Sequence, residues 1–498
     1  MSDTGLLRAD AVVVGGGLAG LWAALHLPAE WDVLVIDKGT GPDLGSSPWA
    51  QGGMAVAVGP HDSKELHAND TLRAGAGACS LEAVMVLVDE GPHALAELEQ
   101  LGCNFDRADD GSLDLNREGG QSVARSVHAA DATGREIMRV VVGEARKRAK
   151  RFVGTATLLL VDDGRCAGVR VQTQHGDVDV LAPATLLAVG GCGALFEATT
   201  NPTTATGDGL ALAWDAGAEV SDCEFVQFHP TALAGGGLRR VLLTEALRGE
   251  GATVVDAEGK RFLFDAHPDG ELAPRDVVAR AIAARGSVWL DARPIGEKHV
   301  RERFPNICAA VAEAGLDLAT ELVPIAPAAH YFLGGVSTDI WGRTTLPGLY
   351  AAGECAATRV HGANRMAGNS LTEAVVFGRR AAHAMHTDEL DAPRIVDVDE
   401  ERSLVRTVNP DDWSNLRHAM STGAGLVRSR AGLEGAERTA SAIAAQTSGD
   451  LRAAALAARL ICASALKRDE SRGVHFRSDA PEPLEAWDGR HVTMTRDL

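Results

Sequence analysis

Four residues at fixed spacing mark the first place where this chain could hold a ligand: Gly15, Gly17 and Gly20 in a Gly-x-Gly-x-x-Gly, and Asp37, 22 residues beyond the first glycine. Gly15 permits a tight turn, Gly17 lets backbone N–H groups approach a pyrophosphate, and Gly20 lets a helix lie close on a strand. An acid at the distance of Asp37 accepts hydrogen bonds from a ribose. That chemistry needs a frame of strand, turn, helix and strand over residues 10–38. The sequence supplies it: 11–14 is a short apolar run, and Leu18, Leu21, Ala24 and Leu25 share one side of a helix. A glycine triplet alone would be a common turn. The strand before it, the helix after it and the acid beyond point together to dinucleotide binding.

Composition narrows the remainder. At 498 residues and 45% hydrophobic content the chain can build two or three domains with a large core. Its 55 glycines and low aromatic content suit an α/β enzyme rich in small residues. A net charge of −20 argues against nucleic acid or an anionic membrane as partner, so an anionic substrate would require a local positive field. The 8 cysteines show no Cys-x-x-Cys spacing, which argues against iron–sulfur or zinc sites and suits buried thiols in a reducing cytoplasm. No metal is expected. The first ten residues are too polar for a signal peptide, and no apolar run reaches the ~18 residues of a membrane helix. The expectation is a cytoplasmic protein.

Several motifs recur in one order: Gly-Ser-Ser-Pro-Trp-Ala-Gln-Gly-Gly at 45–53, Gln-Phe-His-Pro-Thr-Ala at 227–232, Leu-Thr-Glu-Ala-Leu-Arg-Gly-Glu-Gly at 243–251, Ala-Pro-Arg-Asp at 273–276, Ala-Ala-His-Tyr at 328–331, Tyr-Ala-Ala-Gly-Glu at 350–354 and His-Gly-Ala-Asn-Arg at 361–365. From about residue 10 to about residue 380 the chain thereby resembles the succinate dehydrogenase and fumarate reductase flavoprotein superfamily, and within it the aspartate-oxidase branch. The resemblance implies an α/β fold with a Rossmann-like FAD-binding domain (1–222 and 335–408), interrupted by an α+β capping domain (223–334) and followed by a C-terminal helical domain (409–498).

It also implies FAD contacts. Gly15, Gly16, Gly17, Leu18, Ala19, Gly20, Asp37 and Lys38 come from the opening stretch, and Ser46, Ser47, Ala50, Gln51, Gly52 and Gly53 from the glycine-rich loop. Ala156 and Asp208 follow, the latter at the flavin end. Glu354 repeats the strand–glycine–acid arrangement and would bind the ribityl chain, while Ser370 and Leu371 would meet the isoalloxazine at a helix N-terminus. Respiratory relatives carry a histidine bonded to the flavin where this chain has Ser46, so FAD is expected to be noncovalent.

For substrate, the resemblance assigns Arg365, His229, His330 and Thr244 to the carboxylates of a dicarboxylate. Glu118, in Arg-Glu-Gly-Gly, is assigned to an amine; read alone, it would be a solvated loop carboxylate. Where the family usually shows histidine next, this chain has Gln121, which weakens a proton-relay role there. Glu245 and Arg248 stand i, i+3, which alone reads as a helix-surface ion pair. The resemblance joins them to Arg275 in an Arg-Glu-Arg chain delivering a proton. The implied reaction is oxidation of L-aspartate to iminoaspartate with oxygen or fumarate as acceptor, the first step of de novo NAD (quinolinate) biosynthesis, with transient contact to quinolinate synthase. The alternative is a soluble fumarate reductase, which Glu118 and Glu373 disfavour. An electron-transfer subunit of a membrane complex is a further alternative, and Ser46 counts against it.

Elsewhere, Ser80 caps a helix and Pro92 is expected to open a second one before residue 101. Strands are expected over 152–182 with a turn at Asp162-Asp-Gly164, then a buried strand from residue 184. Residues 412–469 read as three amphipathic helices broken near Gly432 and at 448–450, and 468–477 as a segment folded back onto the flavin domain.

Overall fold

The structure, a computed structural model, describes residues 5–39, 45–394, 409 and 411–496. Its centre is a five-stranded sheet in the order Leu349–Ala351, Ala184–Leu187, Ala11–Val14, Val33–Asp37, Lys150–Val153, with every neighbouring pair parallel. Both faces are covered, which is why the inner strands are continuously apolar. Ala11, Val13, Val33 and Val35 pack beneath the helices Leu18–His26 and Asn369–Thr387. Val12, Val14, Leu34 and Ile36 face Val169, Val171 and Val180 of a second, four-stranded sheet. A Cβ on Gly20 would lie 2.1 Å from the carbonyl oxygen of Gly15, so glycine there is what lets the first helix reach its strand.

A third sheet is antiparallel, in the order Val226–Leu233, Val323–Phe332, Val288–Asp291, Thr253–Asp256, and it has its own apolar core with Val278 and Ile282 of the helix Arg275–Arg285. Register shifts between Gln227 and Phe228 and between His229 and Ala232 re-aim side chains on its first strand. The helices Asp412–Gly423, Arg430–Gln446 and Gly449–Lys467 pack on one another around Leu416, Leu433, Ala454 and Ile461. No helix among the described residues is long and apolar enough to cross a membrane.

One expectation needs correction. Residues 81–100 form one helix, Leu81–Gln100, with Pro92 inside it. Ser80 does cap it, accepting from Ala83 N at 3.3 Å. The apolar stripe Val84, Leu87, Val88, Leu95 and Leu98 runs across the proline, and its burial offsets the missing hydrogen bond. The break expected near Gly432 is present, and Gly432 itself lies just past it in the first turn of Arg430–Gln446, donating its N–H to the capping Ser429 Oγ at 3.2 Å. The chain breaks before it, at 424–429. A Cβ on Gly432 would lie 3.3 Å from Gly423 Cα, so this glycine serves a close helix crossing.

The strands expected over 152–182 are present, with Asp163 and Gly164 in the left-handed turn between Thr155–Asp162 and Arg165–Thr173. Residues 468–477 fold back as expected: Val474 N donates to Ala363 O at 2.8 Å and Arg472 Nη1 to Ala76 O at 2.8 Å. The stretch 395–408, assigned to the end of the flavin-binding domain, lies outside the described residues.

Candidate active site

One cavity gathers nearly all of the candidate residues. At one end the parallel sheet delivers the dinucleotide motif. Gly15 sits at φ +114°, and a Cβ there would lie 2.2 Å from Ala188 O. A Cβ on Gly16 would lie 2.4 Å from Asp37 Oδ2, so the Asp37 carboxylate hangs directly over the turn. Burial raises the Asp37 pKa against the pull of Arg151, whose Nη2 is 2.9 Å away. Ser47, from the glycine-rich loop, accepts from Leu18 N at 3.0 Å and ties that loop to the helix N-terminus. Lys38 forms an ion pair with Asp208. That contact places Asp208 beside the Asp37 end of the cavity, away from the arginines and histidines, which corrects its assignment to the flavin end.

Further along, Glu354 accepts from Phe332 N at 3.0 Å and faces Gly191, where a Cβ would meet its Oε1 at 2.2 Å. Burial pushes the Glu354 pKa up to about 7. Two glycine turns, each overhung by an acid, thus line one continuous cleft. Asp37 and Glu354 suit the two polyol ends of a dinucleotide, and the bare N-terminus of Leu18–His26 suits the pyrophosphate between them. The residues therefore fit FAD. Ser46 Oγ lies 3.5 Å from Asn201 Nδ2, and Ser370 at the start of Asn369–Thr387 lines the wall with Leu371.

The far end is cationic. Arg365 Nη1 donates to Ser370 Oγ at 2.9 Å and Nη2 to His330 Nε2 at 3.1 Å, with the guanidinium 4.6 Å from the Tyr331 ring centroid. Burial, with Arg275 nearby, brings the Arg365 pKa down to about 10. An arginine can only donate, so His330 Nε2 is the bare nitrogen and Nδ1–H donates to Thr200 Oγ1 at 2.7 Å. His229 accepts from Thr231 N at its Nδ1, 3.2 Å, which leaves Nε2–H as a donor. The two rings meet edge to face, centroids 5.0 Å apart, and burial followed by the charge of Arg275 depresses both pKa values well below the ordinary histidine value. Both are neutral at pH 7.

Arg275 Nε donates to Glu245 Oε2 at 2.5 Å and Nη1 to Gln227 Oε1 at 3.2 Å. Arg248 Nη2 stands 3.5 Å from Glu245 Oε1. Burial would raise the Glu245 carboxyl, but Arg275 and Arg248 together hold it below its usual value. The reading of Glu245 and Arg248 as a surface pair is overturned, since both side chains are within 1% of fully buried. They stand behind Arg275 and do not line the cavity; nor does Gly20, which serves packing. Thr244 lines the cavity and caps the short helix Glu245–Gly249.

Glu118 also lines it, only 3% exposed, and its carboxylate accepts from Gly53 N at 3.1 Å. Burial and then the neighbouring Glu245 raise its pKa. Reading the sequence missed Thr200, Asn201, Gln227 and Tyr331, which hold His330, Arg275 and Arg365 in place. Only Tyr331 and Gln227 carried any signal, as neighbours of the flagged histidines.

Residues 10–371 match the family described as FAD binding domain, and 447–497 match the fumarate reductase flavoprotein C-terminus. L-aspartate oxidase of Streptomyces coelicolor is 44% identical, covering 98% of this chain and 91% of that one. The chain belongs to the L-aspartate oxidase family. Another member, from Bacillus subtilis, is 40% identical over 97% of this chain and 93% of its own. Among solved structures, E. coli quinol fumarate reductase superposes with a TM-score of 0.89 at 30% identity, covering 99% and 96% of the two chains. Adenylylsulfate reductase of Archaeoglobus fulgidus shares the fold at 17% identity, TM-score 0.73, covering 99% and 96%. As a member of this family the chain is an FAD flavoprotein and an oxidoreductase acting on a small molecule.

Proposed function

We propose that this chain holds FAD noncovalently and oxidises L-aspartate to iminoaspartate, with oxygen or fumarate as final acceptor, as the first step of de novo NAD (quinolinate) biosynthesis in the cytoplasm. The observation that carries this reading is Glu118: a buried carboxylate in the same cavity as Arg365, His229 and Arg275. Aspartate differs from succinate by one amino group, and a carboxylate recognises an ammonium by a charge-assisted hydrogen bond.

Arg365 grips one substrate carboxylate with parallel N–H donors, a geometry lysine lacks. His229 Nε2–H and the Thr244 hydroxyl hold the other, and His330 steadies Arg365. Glu118 orients the amine so that the Cα–H bond is presented to the cofactor. The ammonium first loses one proton, for which the Glu118 carboxylate is the acceptor at hand; the Cα hydrogen then leaves as hydride and a second proton passes from nitrogen to water, giving the neutral C=N bond, and bound FAD would supply the two-electron acceptor. Arg275, backed by Glu245 and Arg248, is the acid/base group for the reverse traffic, placing a proton on carbon when fumarate is reduced to succinate. Proximity and charge neutralisation provide most of the acceleration.

Ser46 offers no ring nitrogen to the flavin, which supports noncovalent attachment. Separate apolar cores, one within 11–188 and 350–385 and one within 233–325, support the division into 1–222 with 335–408 and 223–334; the helices of 409–498 share their core with Leu210 and Val220 of the first segment and Val226 and Phe332 of the second. Iminoaspartate hydrolyses readily, so a transient contact with quinolinate synthase fits the chemistry.

The purified yellow protein, mixed anaerobically with L-aspartate, D-aspartate or succinate, tests the reading by flavin bleaching. L-aspartate alone should bleach it. Bleaching by succinate alone would move the chain to the alternative, a soluble fumarate reductase, and bleaching by none would sink the clamp.

A further inference from the structure

We propose that Gln121 is a positioning residue that fixes Glu118 at the distance from Arg365 that aspartate requires. This rests on the reading of Glu118 as the ammonium ligand. Glu118 sits on a loop that two glycines, Gly119 and Gly120, would leave loose. Gln121 closes that loop on both sides: its Oε1 accepts from Glu118 N at 3.0 Å, and its backbone N–H donates to Glu118 O at 3.2 Å.

The other end of the carboxamide reaches across the site. Nε2 donates to Ser126 Oγ at 2.9 Å and to Ala367 O at 3.3 Å. The Ser126 hydroxyl in turn favours the ionised form of the Glu118 carboxyl. Ala367 lies two residues after Arg365 and next to Gly368 of the cavity wall. One buried side chain, 2% exposed, therefore ties the ammonium ligand to the segment carrying the carboxylate clamp. In aspartate the amine and the α-carboxylate share a carbon, so their ligands must keep a fixed spacing. A carboxamide does this with one acceptor and two donors and no charge.

Charged groups pack around this loop, and Glu245 Oε1 faces Gly119, where a Cβ would lie 1.9 Å from it. Arg117 Nε donates to Gln121 O at 2.9 Å, Arg73 Nη2 to Gly120 O at 3.0 Å, and Asp70 accepts from Ser122 N at 2.7 Å. They hold the backbone of the loop, whereas among the described residues only Gln121 bonds both Glu118 and Ala367.

The test measures binding to the intact holoenzyme. Succinate, with both carboxylates and no amine, is titrated by flavin absorbance, and L-aspartate is followed by anaerobic flavin reduction, which separates Kd from the limiting rate. Gln121→Leu should weaken L-aspartate about tenfold or more while changing succinate far less. Gln121→His keeps an acceptor for Glu118 N–H and a donor for Ser126. Relative to wild type it should bind aspartate nearly normally at pH 8, where the imidazole is neutral. Equal loss of both ligands in Gln121→Leu, or no loss of either, overturns the proposal. If Glu118→Gln weakens aspartate and Gln121→Leu does not, Glu118 keeps its role and Gln121 loses the one assigned here. If Glu118→Gln leaves aspartate affinity unchanged, both readings fall.

Discussion

FAD affinity should depend on pH through Glu354. Its carboxylate already accepts from Phe332 N, and burial has pushed its pKa up to about 7. A ribityl hydroxyl donates best to the ionised form, so cofactor binding draws on the ionised fraction of the apoprotein. With a pKa of about 7, the apparent Kd exceeds its high-pH limit by a factor of 1 + 10^(pKa − pH): about 1.1 at pH 8, about 2 at pH 7 and about 11 at pH 6. The stability of the apoprotein runs the other way. A carboxyl whose folded pKa lies above its ordinary value contributes stability that is fully present below about 4.5 and is lost as pH rises through about 7, so the apoprotein gains most from cofactor where its own fold is weakest. Titrating apoprotein into FAD at each pH and following flavin fluorescence measures the curve. Glu354→Gln should abolish most of the slope and weaken binding at pH 8 about tenfold or more, since a hydrogen bond to a charged group contributes about 1.5–3 kcal/mol. A wild-type Kd that is flat from pH 6 to 8, or a Glu354→Gln variant with an unchanged slope, would refute the reasoning.

Three other expectations follow from the same geometry. Arg365→Lys keeps the charge but loses one of two parallel donors, so kcat/KM for L-aspartate should fall about 10- to 150-fold, read from initial rates. Arg468 is fully buried between Glu224 Oε1 at 2.5 Å and Glu470 Oε1 at 3.0 Å; Glu470 keeps Arg472, but Arg468→Ala leaves the buried Glu224 carboxylate without its cation and should cost about 3–5 kcal/mol, seen as a lower urea midpoint. His67 is buried with its pKa lowered to about 4, its Nε2 2.8 Å from Asn369 Oδ1. A depressed histidine contributes stability above its unfolded value of about 6.5 and loses it as pH falls towards 4, so His67→Gln should gain on wild type by about 1.4 kcal/mol per pH unit below 6.5 in paired urea melts.

Much of the site was legible because its rules are local. Gly15 must be glycine for a left-handed φ and a close carbonyl, and the strand, helix and acid around it are set by neighbours within the same stretch of chain. The capping Ser80 and the turn at Asp163 and Gly164 are local in the same sense. Where prediction failed, packing outweighed a local preference. Pro92 stays inside a helix because an apolar stripe continues across it.

The sequence by itself determined that a dinucleotide cleft exists, since that depends on residue type and short spacing, while the cations and carboxylates that could serve it were named by the resemblance to a known family. Only the tertiary structure decided which of them meet. It separated Arg275, which faces the cavity, from Glu245 and Arg248 behind it, and moved Asp208 to Lys38. It also placed Gln121 between Glu118 and Ala367, 246 residues further along the chain. Such pairings arise from the docking of separate cores against one another, and no periodicity within a single segment encodes the distance between two that meet only after folding.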